Sequence, residues 1–400
     1  MSTELSYGAA LELVLAACAP LPVEGIDLRS ARGRILAGDV RAPESLPRAA
    51  NSAMDGFAVS SAQIIGSVRL PTTPLIAAGT PPPQLPAGWA APIATGALVP
   101  DGADAIVPIE EATATDRDVT LSGPVPVGAH VRFAGSDVTT GMLVARSGSR
   151  LGTGEAAMFA ALGIAQVQVH RRPRVAIIAT GSELVPLEST PSVAQIRESN
   201  SIALAWAIER AGAEANILPI ARDDPDALRA LLAEGLTYDL LVTSGGVSVG
   251  HLDLVRATLS DLGAVERFWR VALKPGKPCV LATTTTCTIL GLPGNPASAL
   301  VGMALFVRPA ILAMSGATKT RPVVEMATAV GTWPSAVGRL HAVRCRTERD
   351  ESGTRAAPTG DQGSHRIGSL IASDALALIE SGQQIREGDQ VVVTGTDWVA

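Results

Sequence analysis

The sequence predicts a multidomain α/β protein, in which a doubly wound α/β domain is joined to β-rich domains. From Arg172 to about Gly316, apolar strand patterns alternate with helical patterns, as in a sheet covered by helices on both faces. In residues 46–137 and 319–400, runs rich in Pro, Gly, Val and Thr replace the helical periods. We therefore expect a β-rich inserted domain in the first of these regions and a small β-barrel or sandwich in the second.

The remaining segments predict a discontinuous N-terminal domain. Residues 5–19 have a helical pattern, residues 24–45 resemble a short strand region, and a helix is expected at 153–163, ended by Gly163. The resulting division is an N-terminal domain of residues 1–45 and 138–171, an inserted domain of 46–137, an α/β domain of 172–318 and a C-terminal domain of 319–400.

Within the α/β domain, the boundaries of the elements follow from apolar runs and capping residues. One helix is expected at 200–211, with Ser199 or Asn200 as its N-cap and Gly212 after its end. A second begins with an acidic cap and Pro225. The predicted strands are 174–179, 215–220, 239–243, 279–283 and 288–292, and the predicted helices are 200–211, 224–234, 252–262 and one that starts at Pro296.

Composition and charge limit the class of protein. The net charge is −6 and the pI about 5.5, without a long basic run, so nucleic acid is not expected as a partner. The four cysteines form no C-x-x-C pair, which predicts reduced, buried thiols rather than zinc ligands or disulfides. Residues 278–307 carry no charge, but the loop 293–296 breaks them, so we expect no membrane span. No secretory signal is visible, which favours a cytoplasmic protein.

Three glycine- or proline-rich loops follow predicted buried strands and predict an anion site. They are TSGGVSVGHLD at 243–253, LKPGKP at 273–278 and GLPGNPAS at 291–298. Ligands of such sheets bind outside the carboxyl ends of the strands, where all three loops fall. Free backbone N–H groups and hydroxyls at this edge suit a polyphosphate or oxyanion. A tight turn that binds nothing explains any one of the loops almost as well.

Two lysines and three carboxylates add to this interpretation. Lys274 and Lys277 flank a rigid Pro-Gly turn, which favours two ammonium groups aimed at an anion over a solvated basic turn. Glu183, Asp224 and Asp253 follow strand ends, and each alone is typical of a helix cap. Three carboxylates at one edge of the predicted sheet favour a magnesium site, because Mg²⁺ takes one or two carboxylates and completes its coordination shell with water and phosphate oxygens.

These motifs, in this order, resemble the MoeA family of molybdopterin molybdotransferases. The resemblance runs from about residue 30 to 372 and includes NSAMDGFA, ATGALVPDGADAIVPIE, VRFAGSDV, ATGSEL, SGGVSVGHLD, KPGKP, GLPGNPASA and DQGSHRIGSL. It implies an elongated subunit of four domains, with a molybdopterin-binding α/β domain and a C-terminal β-barrel. It also implies a homodimer whose sites are shared between subunits, and transient contacts with the adenylyltransferase and with apo-molybdoenzymes.

The activity that the resemblance implies is insertion of molybdate into adenylylated molybdopterin, with magnesium-dependent release of AMP. The implied acidic site residues are Asp55, Asp137, Glu183, Asp224 and Asp253, the last three as metal ligands. Lys274, Lys277 and Ser298 would meet molybdate, with Arg344 and Ser364 as added anion ligands. The implied pterin-phosphate cradle contains Gly245, Gly246, Ser248 and Gly250, and Thr95, Pro293 and Pro296 are further expected ligand-binding residues.

Four positions depart from the usual family pattern, namely Ser136, Ser182, Glu198 and His251. Three of the changes remove a carboxylate, which predicts weaker metal binding. Two alternatives therefore stay open: a diverged, non-catalytic molybdopterin-binding scaffold, and a molybdopterin adenylyltransferase, whose fold would match residues 172–316 alone.

Overall fold

A computed structural model describes residues 4–221, 224–246, 254–335 and 337–396. The chain divides into two compact units. The first contains Met1–Gly38, Ser147–Gly152 and Gln166–Ala400, and the second contains Asp39–Arg146 and Thr153–Ala165. The finer division into four domains stays a prediction.

The helices of the described chain are numbered in chain order. They are α1 (Tyr7–Ala16), α2 (Thr153–Ala161), α3 (Asn200–Ala211), α4 (Pro225–Gly235), α5 (Leu254–Asp261), α6 (Pro296–Gly302), α7 (Arg308–Met314) and α8 (Gly368–Ile371). A π-helical turn, Met303–Val307, joins α6 to α7, and 3-10 turns occur at Leu28–Ser30, Ser61–Gln63 and Ile109–Glu111.

The strands of the described chain are also numbered in chain order. The first twelve are β1 (Val23–Asp27), β2 (Val40–Arg41), β3 (Asn51–Ser52), β4 (Gly56–Val59), β5 (Val68–Pro71), β6 (Ala91–Ile93), β7 (Ala105–Pro108), β8 (Ala112–Ala114), β9 (Asp118–Leu121), β10 (Val131–Arg132), β11 (Leu143–Ala145) and β12 (Gln166–His170). The next nine are β13 (Arg174–Ala179), β14 (Leu184–Val185), β15 (Ile196–Arg197), β16 (Glu214–Ile217), β17 (Leu240–Ser244), β18 (Val265–Trp269), β19 (Leu273–Lys274), β20 (Val280–Thr283) and β21 (Thr288–Leu292). The last five are β22 (Val324–Ala329), β23 (Leu340–Asp350), β24 (Gly353–Pro358), β25 (Ala375–Ile379) and β26 (Gln390–Gly395).

The central sheet of the first unit has six strands in the order β16-β13-β17-β21-β20-β18. The first four strands are parallel, as the alternation of strands and helices predicts. β20 and β18 run antiparallel to their neighbours, so the sheet is mixed at this edge. The sequence pattern does not predict β18, whereas β13 and β21 have their predicted bounds.

Helices cover both faces of this sheet, and the alternation of side chains along β13 shows how. Val175 and Ile177 belong to a core cluster with residues of α1, α3, α6 and α7. Ala176 and Ile178 point the other way, into a cluster with residues of α4 and α5. Successive side chains of a strand point to opposite faces, so the run RVAIIA must be apolar throughout. The predicted doubly wound α/β fold is confirmed.

The helix Pro296–Met314 accounts for the uncharged stretch in the sequence. In the described part of the chain it alone is long and apolar enough to cross a membrane by length and composition. In this structure 89% of its most apolar window is buried inside the protein. Its composition is therefore explained by its position in the core.

The C-terminal strands close into a barrel. β23 pairs with β24 and β25, β24 with β22, and β22 and β25 with β26, so the five strands form a ring. Of the predicted barrel or sandwich, the barrel is confirmed. β19 adds to its outside through parallel pairing of Leu273 and Lys274 with Leu340 and His341, which joins the α/β sheet region directly to the barrel.

The second unit is β-rich and carries one helix, α2, among its described residues. Its larger sheets have three strands each, β6-β4-β7 and β5-β9-β8. The core includes Phe57, Val59 and Val107. Residues 46–137 contain strands and 3-10 turns but no described α-helix, as predicted.

All four cysteines are free thiols in buried positions. Burial raises the pKa of Cys18, Cys279, Cys287 and Cys345 to about 12. The prediction of reduced, buried cysteines is confirmed.

Candidate functional site

A cleft of about 680 Å³ lies at the carboxyl ends of β13 and β17 in the first unit. Its walls come from four segments that are distant in sequence: 179–184, 196–200, 244–246 and 294–296. His365 and Ile367, from the segment between β24 and α8, complete the lining. The cleft therefore lies where open α/β sheets bind their ligands.

The first wall is the loop that follows β17. The backbone N–H of Gly245 donates to the carbonyl of Leu292 at 3.0 Å, which holds the loop against the end of β21. Gly245 and Gly246 have φ angles of 95° and 65°. A Cβ at Gly245 would lie 2.5 Å from the Thr180 carbonyl oxygen, and one at Gly246 would lie 2.4 Å from Val255. Only glycine fits at these two positions. At both predicted cradle residues, the backbone itself therefore faces the cleft.

Asn200 ties this wall to the next one. Its side-chain Nδ2 donates to Ser244 Oγ at 2.9 Å and to the carbonyl of Gly294 at 2.8 Å. The N-cap position of α3 is Ser199, which makes no side-chain capping hydrogen bond. Asn200 is thus the first helical residue and links the loops after β17 and β21. In the sequence, the position of Asn200 before an apolar helical pattern indicates only a helix cap. Its role as a bridge between the two loops is therefore not predicted.

The loop after β21 joins the cleft to the barrel segment. Asn295 Nδ2 donates to Ser364 Oγ at 3.0 Å, and the Ala297 N–H donates to the Ser364 carbonyl at 3.1 Å. Pro296 lines the cleft at the first position of α6, and the preceding Pro293 is buried. The predicted residues Ser364, Pro293 and Pro296 therefore lie around the start of the long helix.

The predicted carboxylates are differently placed. Glu183 lines the cleft, with its carboxylate folded over Gly181. Asp224 caps α4, accepting hydrogen bonds at 3.0 Å from the N–H groups of Asp226 and Ala227. Asp253, like Ser248 and Gly250, lies outside the described residues. Among the residues that the structure describes, no three potential His, Cys, Asp or Glu ligands form a group.

Glu198, one of the departures from the family pattern, lines the cleft and accepts a hydrogen bond from the Ser201 N–H at 2.9 Å.

The two predicted lysines flank the Pro275–Gly276 turn, which lies near the first turn of α6. They are two of the three lysines in the chain, and neither is among the described residues that line the cleft. The turn between them is close to Ser298, since a Cβ at Gly276 would lie 4.0 Å from the Ser298 carbonyl. Ser298 itself is buried in the first turn of α6. Lys277 Nζ contacts Glu4 Oε1 at 2.5 Å.

Lys274 is exposed and sits beside a buried histidine. It pairs in register with His341, the second residue of β23. Burial first, and then the positive charges of Lys274 and Arg344, lower the pKa of His341 to about 4. His341 is therefore neutral at physiological pH, and it adds no positive charge to this end of the barrel.

Arg344 supports the segment that carries Ser364 and His365. It is fully buried, its Nε donates to Ser369 Oγ at 2.7 Å and its Nη2 donates to the Gly363 carbonyl at 3.1 Å. Its predicted role as a direct anion ligand stays a prediction. The hydrogen bonds show that it holds this loop, because buried guanidinium groups need such partners.

In the second unit, two of the predicted residues form a pair. The Thr95 N–H and hydroxyl donate to Asp55 Oδ1 at 2.7 and 3.0 Å. These bonds, the backbone one first, hold the pKa of the exposed Asp55 carboxyl below its usual value. Asp137 is exposed, and its backbone N–H donates to the Leu46 carbonyl at 3.1 Å.

Comparison with known proteins gives matches over most of the chain. Residues 5–163 match the profile described as MoeA N-terminal region (domain I and II). Residues 176–313 match a probable molybdopterin binding domain, and residues 327–394 match the MoeA C-terminal region (domain IV). A molybdopterin molybdenumtransferase of Synechococcus elongatus is 33% identical over 399 residues, covering 95% of this chain and 96% of the relative. The chain belongs to the MoeA family.

Further relatives agree with this membership. A molybdopterin molybdenumtransferase of Nostoc is 36% identical over 393 residues, covering 92% of this chain and 88% of the relative. The crystal structure of a molybdopterin biosynthesis MoeA protein from Pyrococcus horikoshii has a TM-score of 0.83, with 30% identity, and the match covers 98% of this chain and 99% of that one. The protein is thus a MoeA-family enzyme of molybdenum cofactor biosynthesis, and the resemblance noted in the sequence is confirmed.

Several residues that line the cleft of this MoeA-family enzyme are not among those that the sequence predicts for the site. They include Asn200, Asn295, His365 and Ile367. Asn200 and Asn295 carry the signal of helix caps, and His365 stands in a glycine- and serine-rich loop. Only contacts between segments that are distant in sequence identify them.

Proposed function

We propose that this MoeA-family enzyme inserts molybdate into adenylylated molybdopterin, with magnesium-dependent release of AMP. The observation that carries the proposal is the cleft, in which glycine loops at strand ends and the first turns of two helices, α3 and α6, surround a volume of about 680 Å³. The relatives are named molybdopterin molybdenumtransferases, which supports the transfer of molybdenum to molybdopterin.

The diphosphate-linked part of the substrate fits the glycine walls. The positive end of the helix dipole at the start of α6 favours negative charge, and the Gly246 backbone lies at the cleft wall with no side chain to exclude phosphate oxygens. The bonds from Asn200 to Ser244 and Gly294 fix the distance between these walls. Walls that are held apart in this way bind an anionic ligand at a lower cost for ordering the loops.

The donor set is compatible with a magnesium ion that shares its ligands with the substrate. Glu183 supplies a carboxylate at the cleft wall, and Mg²⁺ takes few protein ligands when phosphate oxygens are present. Asp224 has one oxygen engaged by the cap of α4. When bound, the ion would neutralise charge that develops on the phosphate of the departing AMP. Glu183 would hold the magnesium ion next to the Gly245 loop, and the cleft walls would orient the phosphoanhydride.

The molybdate oxyanion is assigned to the KPGKP turn. Lys274 is exposed there and Lys277 is part-exposed, and an ammonium group is a suitable donor to a tetrahedral dianion. Ser298 lies close to this turn, and Ser364 contacts the start of α6. We assign Lys274 and Lys277 to hold molybdate while the phosphoanhydride is cleaved and the metal centre passes to the dithiolene.

We also propose a cytoplasmic homodimer with sites shared between the subunits, which the family resemblance supports. The Asp55–Thr95 pair and Asp137 would be contributed by the partner subunit. Transient contacts with the adenylyltransferase and with apo-molybdoenzymes would deliver substrate and remove product. Mixing inactive Asp55→Asn subunits with inactive Lys274→Ala subunits should restore activity, because one site of each mixed dimer is then intact. Mixed dimers without activity would count against shared sites.

Single-turnover release of AMP tests the activity itself. Protein loaded with adenylylated molybdopterin and magnesium should release AMP only when molybdate is added, and the product should activate an apo-molybdoenzyme. Lys274→Ala should abolish this release while leaving pterin binding intact, and Lys319→Ala, at the third lysine of the chain, should behave as the wild type. Tight pterin binding without AMP release in the wild type would favour a non-catalytic scaffold instead.

A further inference from the structure

An ion cluster beside the KPGKP turn contains an acid of the chain itself. Glu4 Oε1 contacts Lys277 Nζ at 2.5 Å, and Glu4 Oε2 lies 3.9 Å from Arg339 Nε. The three side chains keep 29%, 34% and 38% of their surface exposed for Glu4, Lys277 and Arg339, respectively. The cluster is thus partly shielded but open to solvent.

Backbone pairing places Glu4 in the cluster. Leu5 forms a parallel bridge with Val271, and the Ala272 N–H donates to the Leu5 carbonyl at 2.7 Å. On the other side of the same segment, the Leu340 N–H donates to the Ala272 carbonyl at 2.9 Å. The Val271–Ala272 segment therefore has Glu4 on one flank and Arg339 on the other.

The turn that carries the lysines returns to the same segment. The Val271 N–H donates to the Lys277 carbonyl at 3.0 Å, which brings the Lys277 ammonium to Glu4. A fourth charge comes from Arg270, whose guanidinium stacks at 4.1 Å on the Trp269 ring. The hydrogen bond from Lys277, and then the charges of Arg339 and Arg270, keep the pKa of Glu4 below its usual value. Lys277 and Arg339 pair with the carboxylate, and the charge of Arg270 also acts on it.

We propose that Lys277 and Arg339 form an oxyanion site in which the Glu4 carboxylate is an internal competitor that molybdate must displace. A carboxylate presents two oxygens with a shared negative charge, so it occupies cation donors in the manner of one edge of a tetrahedral oxyanion. The proposal adds Arg339 and Glu4 to the site and rests on the proposed function, because it requires that Lys277 binds the oxyanion.

Displacement of Glu4 has a modest cost, which suits a competitor rather than a permanent partner. Partly exposed ion pairs contribute little free energy. Competition from Glu4 should therefore lower the affinity of the site for molybdate by roughly two- to fivefold. Leu5 and α1 keep the carboxylate close after it leaves, which gives it a high effective concentration. Empty sites would then be covered by Glu4, and molybdate would replace it.

The test is calorimetric titration of the full-length protein with sodium molybdate, together with the apparent KM for molybdate in AMP release. Glu4→Gln should bind molybdate roughly two- to fivefold more tightly and lower the KM for molybdate by the same factor. Glu12→Gln is the matched control, because Glu12, on α1, pairs with Arg321 at 2.6 Å in a separate and more exposed ion pair. It should leave both values unchanged. Arg339→Gln should weaken binding in the wild type and in Glu4→Gln.

Failure of this proposal and failure of the proposed function give different results. If Lys277→Ala removes molybdate binding while Glu4→Gln leaves it unchanged or weaker, Lys277 is an anion ligand and Glu4 only orients it. An Arg339→Gln variant that binds normally in the Glu4→Gln background would likewise overturn the site. If Lys277→Ala and Lys274→Ala both bind molybdate like the wild type, the oxyanion step of the proposed function fails as well.

Discussion

The side-chain amide of Asn200 donates a hydrogen bond to the hydroxyl oxygen of Ser244 at 2.9 Å. The same amide also reaches the Gly294 carbonyl. One side chain at the start of α3 therefore sets the separation of the two glycine loops that form the cleft.

Replacing Asn200 by Ala should loosen both walls. Two hydrogen bonds are lost, which we expect to lower the free energy of unfolding by about 1–2 kcal/mol and to weaken binding of adenylylated molybdopterin. Denaturant unfolding and fluorescence titration with the pterin measure the two effects. Asn216→Ala, in the edge strand β16, is the control and should retain full pterin binding. Normal pterin affinity in Asn200→Ala would show that the loops keep their positions without this bridge.

Glycine-to-alanine changes separate steric clash from backbone strain in the cleft wall. Gly245→Ala introduces a Cβ 2.5 Å from the Thr180 carbonyl at a φ of 95°. Gly263→Ala has the comparable φ of 85°, but no atom lies within 4 Å of its Cβ position. Strain alone should cost about 1 kcal/mol at Gly263, whereas Gly245→Ala should cost clearly more and displace the loop. Equal unfolding free energies for the two variants would mean that the loop after β17 moves to accommodate the Cβ at little cost in free energy.

The hydrogen bonds of Arg344 predict a large loss of stability on its removal. Arg344→Met leaves Ser369 and the Gly363 carbonyl without their donor inside the barrel wall, and we expect a loss of about 2–4 kcal/mol in unfolding free energy. Arg346→Met, two residues along the same strand and exposed, should change stability by less than about 0.5 kcal/mol. A stable Arg344→Met protein that had lost only its response to molybdate would instead favour the role of an anion ligand.

The Arg171–Asp239 pair predicts how stability depends on pH. Burial raises the pKa of Asp239, but hydrogen bonds from the Arg171 guanidinium at 2.6 and 2.7 Å and from the Arg174 N–H outweigh it and lower the pKa below 3.8. A carboxyl whose folded pKa is depressed stabilises the fold above its unfolded pKa and loses that contribution as pH falls through the folded value. Asp239→Asn should therefore be less stable than the wild type by about 2 kcal/mol at pH 7.

That difference should shrink as the pH falls below 3.8. Unfolding curves of both proteins between neutral and acidic pH measure it. A difference that stayed constant down to the acid limit would mean that the carboxyl is not the titrating group.

Local signals in the sequence predict the α/β core and miss its edge. The run at 174–179 gives β13 its observed bounds, because every residue of it must be apolar between two layers of helices. Asp224 and Pro225 begin α4, as their capping chemistry requires. In contrast, β18 contains Glu266 and Arg267 and is largely exposed, so no buried run marks it.

The glycines of the cleft are also predictable, because their residue type is dictated by the backbone that they form. The partners of side chains are not. Lys277 has the same local sequence whether its ammonium meets a ligand or Glu4, and Arg344 could be an anion ligand or a support for a loop. Only the fold brings Glu4 and Ser369 to these side chains.

Because all four cysteines are buried, the native thiols of the protein react slowly with thiol reagents. A thiol whose pKa is raised to about 12 is ionised to only about one part in 10⁵ at neutral pH, and thiolate is the reactive form. A single cysteine introduced at Ser182, in the cleft wall, would react with maleimides far faster than any native one. Its labelling rate would report directly, and without further changes to the protein, when substrate fills the cleft.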